Sequence, residues 1–80
     1  MQDIDAHTGR ILRFLRQREI QGDVAPITLN AIALALQLDP VTVSMAVALL
    51  EVRRCVLRGA PPGTSVRLTD LGRFVASQAP

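Results

Sequence analysis

TLNAIALALQLDPVTVSMAVALLEVRRCVLRGAPPGTSVRLTDLG, residues 28–72, is the stretch that decides the fold. It contains two short helical patterns joined by a tight turn, then a hairpin tipped with Pro and Gly, then a new helix start. This order is typical of a winged helix-turn-helix, a mostly α fold with a small β-hairpin wing. We therefore expect a single domain over residues 1–80, with a three-helix core, a wing and a C-terminal helix, and with residues 1–5 frayed.

The second and third helices, on either side of a tight turn, each begin with residues that are typical of helix starts. Pro26-Ile27 fits a short edge strand, and Thr28 is expected to cap the second helix by accepting from its free amides. Asp39-Pro40 predicts the start of the third helix at Pro40, because proline suits the first helical position. Apolar residues at helical spacing form the inner face of the second helix: Leu29, Ile32, Ala33 and Leu36.

The third helix is unusual because its outer side is uncharged. Val43, Val47 and Leu50 recur every three or four residues and are expected to face the second helix. The residues turned outward are then Val41, Thr42, Ser44, Met45, Ala48 and Leu49. This set lacks Arg, Lys, Asn and Gln, the side chains that give bidentate base readout. Only two hydroxyls remain to bond to bases, with Val41 and Met45 to contact thymine methyls.

The hairpin is predicted from alternating residues at 55–59 and 65–68, with turn chemistry between them. If it is symmetric about Pro62-Gly63, Leu57 faces Leu68 on the core side and Arg58 faces Arg67 on the other. Like charges directly opposed are unfavourable. A phosphate group between the two arginines would remove that repulsion.

A last helix follows the hairpin and is expected to pack beside the first helix. Thr69 is its predicted cap, and Leu71, Phe74 and Val75 are its predicted apolar packing face. Gly72 is expected to allow a close approach of this helix to the sheet.

The first helix is predicted over about residues 6–19 and is locally basic. Its apolar side is formed by Ile4, Ile11, Leu12, Phe14 and Leu15. Arg10, Arg13 and Arg16 fall on the opposite side. All nine basic residues of the chain are arginine, and the net charge is only +2. Because 49% of residues are hydrophobic, apolar side chains remain for a partner. We expect a homodimer formed through the first and last helices.

Several function classes are not expected. Residues 1–10 hold no apolar stretch for a secretory signal, and the apolar runs are too short for a membrane span, so the expected location is cytoplasmic.

One cysteine and one histidine provide neither a disulfide nor a metal cluster. No cofactor is predicted. Cys55 and His7 lie too far apart in the predicted fold to form a nucleophile and its base, so no enzyme is expected. Cys55 is packed inside or acts as a redox sensor.

A family pattern runs through about residues 26–73. It consists of Asp39, Thr42-Val43-Ser44, Leu50-Glu51, Val56, Arg58, Val66, Leu68-Thr69 and Gly72. This order and spacing resemble the core of MarR-type winged-helix transcription regulators. The resemblance implies a DNA-binding regulator. Arg54 stands where that family usually turns with glycine after the third helix.

Two functions follow as hypotheses. The first is a small homodimeric DNA-binding transcription regulator, with the third helix in the major groove and the wing on the backbone. Its expected contacts with duplex DNA are Val41, Thr42, Ser44, Met45, Arg58, Arg67, Arg10 and Arg13. The alternative is a protein-interaction module that uses the apolar outer face of the third helix.

Overall fold

The computed structural model describes residues 4–23, 25–59 and 65–78. These parts form four helices and a small three-stranded antiparallel sheet, so the prediction of a mostly α chain with a small β component is confirmed. The elements in chain order are α1 (Ile4–Ile20), β1 (Ile27–Thr28), α2 (Leu29–Leu36), α3 (Pro40–Val52), β2 (Val56–Arg58), β3 (Ser65–Leu68) and α4 (Asp70–Gln78). Helix α1 thus begins at Ile4, two residues before the predicted start. The predicted Pro62-Gly63 turn lies outside the described residues.

The turn between α2 and α3 follows the start and stop signals of the sequence. The Thr28 hydroxyl accepts a hydrogen bond from the Ala31 amide at 3.1 Å, as a capping residue does. Helix α2 ends at Leu36, and the next residue, Gln37, has a φ of 56°, the left-handed conformation common just beyond helix ends. Helix α3 begins at Pro40, and Asp39 holds the cap position with extended backbone but no capping hydrogen bond. The α2 and α3 axes differ in direction by 116°.

The core lies where α1, α2, α3 and the sheet meet. It contains the buried apolar residues Ile11, Leu12, Leu15, Ile32, Ala33, Val43, Ala46, Val47, Leu50, Cys55, Val56, Val66, Leu68 and Ala76. The predicted inner faces of α2 and α3 are therefore confirmed. No single described helix is long and apolar enough to cross a membrane, and α2 and α3 reach that length and apolarity only as a bent pair.

The sheet has the strand order β1-β3-β2, with β1 at one edge as predicted. The predicted hairpin register is wrong by one residue, because the pairs are Val56 with Leu68, Leu57 with Arg67, and Arg58 with Val66. A shift of one residue exchanges the two faces of a strand. The observed register buries Val56 and Leu68, and it leaves Leu57 exposed beside Arg67 instead of in the core.

Helix α4 packs on the rest of the chain through its small residues. Gly72 and Ala76 are buried, whereas Leu71, Phe74 and Val75 are exposed, so the predicted packing face of α4 is wrong. The reason is the close approach at Gly72: an added Cβ would lie 2.0 Å from the Cys55 carbonyl oxygen. The predicted role of Gly72 is thereby confirmed, with the segment that enters β2 as its neighbour.

The first turn of α4 is joined to the turn after α3 by one hydroxyl group. Thr69 Oγ1 accepts a hydrogen bond from the Gly72 amide at 3.0 Å, which confirms its predicted capping role. The same hydroxyl donates to the Arg54 carbonyl at 2.6 Å. Arg54 has a φ of 62°, so an arginine adopts the left-handed conformation that glycine adopts most easily.

Candidate interaction surface on the third helix

Helix α3 exposes a straight apolar stripe along its outer face. Val41, Met45, Ala48 and Val52 follow one another at intervals of four, three and four residues, which places them on one face of a helix. The exposed fractions are 65% for Val41, 55% for Met45 and 79% for Val52, and Ala48 is also exposed. We call these four residues the α3 stripe.

The α3 stripe lies in a helix that carries no charged residue from Pro40 to Leu50. Ser44 is exposed beside it and offers one hydroxyl, and the first charged side chain is that of Glu51. Of the four residues predicted to read bases from this helix, Val41, Ser44 and Met45 are therefore accessible.

Thr42 is the exception, because it is buried with only 6% of its surface exposed. Helix α3 packs against α1 as well as α2, and a wider face of the helix is buried than contact with α2 alone would require. The prediction that Thr42 points outward is therefore wrong. Only one hydroxyl group of α3, that of Ser44, is left to meet a base edge.

The arginines of the predicted wing contact do not lie together. Arg58 is opposite Val66 in the sheet, and its Nε donates to Glu51 Oε1 at 3.1 Å. Arg67 lies on the other face of the hairpin, is exposed, and forms no ion pair with another described residue. The predicted phosphate site between the two guanidinium groups is therefore not formed.

The basic segment of α1 is partly neutralised by acids from later in the chain. Arg16 contacts Glu19 at 3.4 Å, and Arg18 contacts Asp23 at 2.8 Å. Arg10 is exposed and donates from Nη2 to the Leu36 carbonyl at 3.0 Å, at the end of α2. Arg13 is exposed on α1. The charge of residues 10–18 alone overstates how basic α1 is, because Glu19 and Asp23 lie just beyond that segment.

An open groove between α2 and the start of α3 adjoins the α3 stripe. It is lined by Asn30, Ala33, Leu34, Gln37, Leu38 and Pro40. Leu34 is almost fully exposed at its edge, and Pro40 directly precedes the first residue of the stripe. Sequence reasoning missed this groove. The available signal was Leu34 itself, an apolar residue that falls outside the inward-facing set of α2.

A second exposed apolar face lies on α4, formed by Leu71, Phe74 and Val75. Leu71 and Val75 also border a cleft between α4 and α1 that reaches Leu12 and Cys55. Cys55 is itself buried, which agrees with the packing role considered for it. The described surface thus carries two apolar faces, one on α3 and one on α4.

Neither a protein-family model nor a curated protein matches this sequence.

Proposed function

We propose that this chain is a winged helix-turn-helix domain that acts as a protein-interaction module, with the α3 stripe as its docking surface. The single observation that carries the proposal is the exposure of four apolar side chains in line along a helix that carries no charge from Pro40 to Leu50. The fold assignment is supported by the 116° angle between α2 and α3 and by the antiparallel sheet that follows them.

The energetics favour a dry contact at this surface. Burying a Val or Met side chain contributes about 1.5–3 kcal/mol relative to leaving it in water. Contiguous exposed apolar surface on a small domain is a sign of a binding site. A helix that reads bases needs forked donors or acceptors, and from Pro40 to Leu50 the outer face of α3 presents only the Ser44 hydroxyl. Glu51, near the end of the helix, is paired with Arg58. The occupant that fits a straight stripe with this spacing is another helix with a matching apolar face.

Site-specific photocross-linking in the producing cell tests the docking surface. A photoreactive phenylalanine analogue at Val52 is expected to give one discrete protein adduct. The Met45→Glu substitution, two turns away on the same stripe, is expected to remove that adduct. Glutamate is a good helix former, and Met45 is exposed, so the variant is expected to keep the circular dichroism of the parent. Ala48→Glu is a second variant of the same design.

Phe74 on α4 provides the matched control position for this experiment. The analogue placed there is expected to give no adduct that depends on Met45. If the Val52 adducts are diffuse and unaffected by both glutamate substitutions, α3 is not a docking surface and the proposal fails.

DNA binding is the second candidate function, and three observations favour it. Helices α2 and α3 cross at the angle of a helix-turn-helix, and the outer face of α3 is covered by no described residue near Val41, Ser44 and Met45. Arg67 is exposed on the wing. This function requires α3 to stay free. A homodimer would then form through α1 and α4, with the exposed apolar residues of α4 in the interface.

A salt titration of binding to a random-sequence duplex separates the two functions. A DNA-binding domain loses affinity steeply between about 50 and 200 mM salt, and Arg67→Ala lowers the slope by about 0.9 for one lost phosphate contact. Arg18→Ala is the matched control, because Arg18 is held by Asp23. The docking proposal predicts no duplex binding at the lowest salt, measured by fluorescence anisotropy. Binding with the steep slope would favour the second candidate.

A further inference from the structure

We infer that the occupant of the α3 stripe is the α3 helix of a second copy of this chain, packed antiparallel about a twofold axis. This inference rests on the proposed function and names its partner. Three features of the described residues carry it: the spacing of the stripe, the charges at the two ends of α3, and the shape of the surface at those ends.

The spacing of the α3 stripe is self-complementary. Intervals of four, three and four residues are those of the apolar seam between two paired helices. A twofold axis at the middle of the stripe places Val41 against Val52 of the second copy, and Met45 against Ala48 of the second copy. Each pair then places an exposed apolar side chain against an apolar side chain of the second copy. The small side chain of Ala48 allows the two helix backbones to approach closely near the axis.

The charges at the ends of α3 select the antiparallel direction. Asp39 precedes the helix, whereas Arg53 and Arg54 follow it, and all three are exposed. Antiparallel pairing brings each Asp39 towards the two arginines of the second copy. Parallel pairing would bring like charges together at both ends. The helix dipoles favour the same choice, because antiparallel helices place opposite partial charges side by side.

The surface at the ends of the α3 stripe fits the same arrangement. Val52 is the most exposed of the three large side chains of the stripe, at 79%. The groove lined by Leu34 and Pro40 lies at the opposite end, next to Val41. Antiparallel pairing carries Val52 of the second copy to this end, where the groove offers further apolar surface.

The size of α3 indicates a reversible dimer. Its 13 residues extend about 20 Å, at about 1.5 Å per residue. A seam of this length buries less than the roughly 1,200–2,000 Å² of a standard stable interface. We therefore expect a dissociation constant in the micromolar range, with dimers forming at high concentration in sedimentation experiments.

Disulfide trapping tests both the partner and its direction. Two single variants, Val41→Cys and Val52→Cys, are prepared in a Cys55→Ala background so that no other thiol is present. Antiparallel pairing predicts that the mixture forms the crossed disulfide in large excess over either self-linked product. Parallel pairing predicts the two self-linked products, which would overturn the direction. Phe74→Cys in the same background is the matched control, and it is expected to cross-link no faster than free exposed thiols.

Failure of this inference is distinguishable from failure of the proposed function. If the mixture gives no crossed disulfide and the parent chain sediments as a monomer at every concentration, the partner is not a second copy. The Val52 photo-adduct then reports on the proposed function separately: an adduct heavier or lighter than two chains, lost in Met45→Glu, retains the docking surface with another protein as occupant. Absence of both products removes both conclusions.

Discussion

Replacing Gly72 with alanine is expected to lower the free energy of unfolding by about 3 kcal/mol, the upper end of the usual range for overpacking. The new Cβ would lie 2.0 Å from the Cys55 carbonyl oxygen and 2.9 Å from its carbonyl carbon. These are backbone atoms, so no side-chain rotation relieves the overlap. The same carbonyl accepts the Thr69 amide at 3.0 Å, and displacing it disturbs the start of α4 as well. For a domain of this size the melting temperature is expected to fall by roughly 12–24 °C.

Gly9→Ala is the matched control for this prediction. Gly9 lies inside α1, and a Cβ added there meets nothing within 4 Å. Alanine at this position is expected to stabilise the chain by about 1 kcal/mol through helix propensity. Thermal and urea denaturation followed by circular dichroism measure both variants. If Gly72→Ala unfolds like the parent chain, the contact between α4 and the Cys55 carbonyl described above is incorrect.

The second large effect is expected at Glu19, which ties α4 to α1. Its carboxylate accepts hydrogen bonds from Arg73 Nε at 2.9 Å and Arg73 Nη2 at 3.1 Å. The Glu19 side chain is only 12% exposed. The cost of Glu19→Gln is therefore expected between that of a surface pair and that of a buried pair, at about 1–2 kcal/mol. Asp70→Asn is the matched control, because fully exposed Asp70 bonds to the same arginine at 2.7 Å and should have little effect.

The contribution of Glu19 to the free energy of unfolding should depend on pH in the acid range. The hydrogen bond from Arg73 lowers the pKa of Glu19 below its ordinary value of 4.5, against the opposing effect of burial, and the charges of Arg73 and Arg16 lower the pKa further. A lowered pKa in the folded state stabilises the fold above the unfolded pKa. That contribution is lost as the pH falls from about 4.5 through the folded pKa.

Urea denaturation across this acid range is the measurement. The Glu19→Gln chain should lose stability less steeply than the parent chain below pH 4.5, because glutamine does not titrate. If the free energy of unfolding falls equally with pH in the parent and Glu19→Gln chains, the ion pair contributes nothing to the stability of the fold. In that case α4 is held by its apolar contacts and by the hydrogen bonds of Thr69.

The sequence was most informative where a feature depends on neighbouring residues. Helix starts at Leu29 and Pro40 follow from capping chemistry within a few positions, and the buried faces of α2 and α3 follow from helical periodicity. The exposed apolar positions Val41, Met45 and Ala48 were predicted by the same rule. Local pattern was therefore sufficient for most of the proposed docking surface.

Features that depend on distant contacts were predicted less well. The hairpin register was wrong because a one-residue change in the assumed turn reverses the faces of β2 relative to β3, so that Val56 and not Leu57 faces the core. Thr42 was misplaced because contact with α1 widens the buried side of α3. The face of α4 was misjudged because large apolar residues were expected to pack, whereas close approach requires small ones such as Gly72 and Ala76. The partnership of Glu19 with Arg73 spans 54 positions and has no local signal.

The Thr69 hydroxyl has a mechanical consequence for the two apolar faces. It connects the backbone just beyond α3 to the first turn of α4 through two hydrogen bonds of one side chain. We expect displacement of the end of α3 by a bound protein to be transmitted to α4 through this side chain, and also through the Cys55 carbonyl, which accepts the Thr69 amide and lies against Gly72. We therefore expect binding at the α3 stripe to change the angle between α4 and α1, and with it the position of the exposed apolar residues of α4.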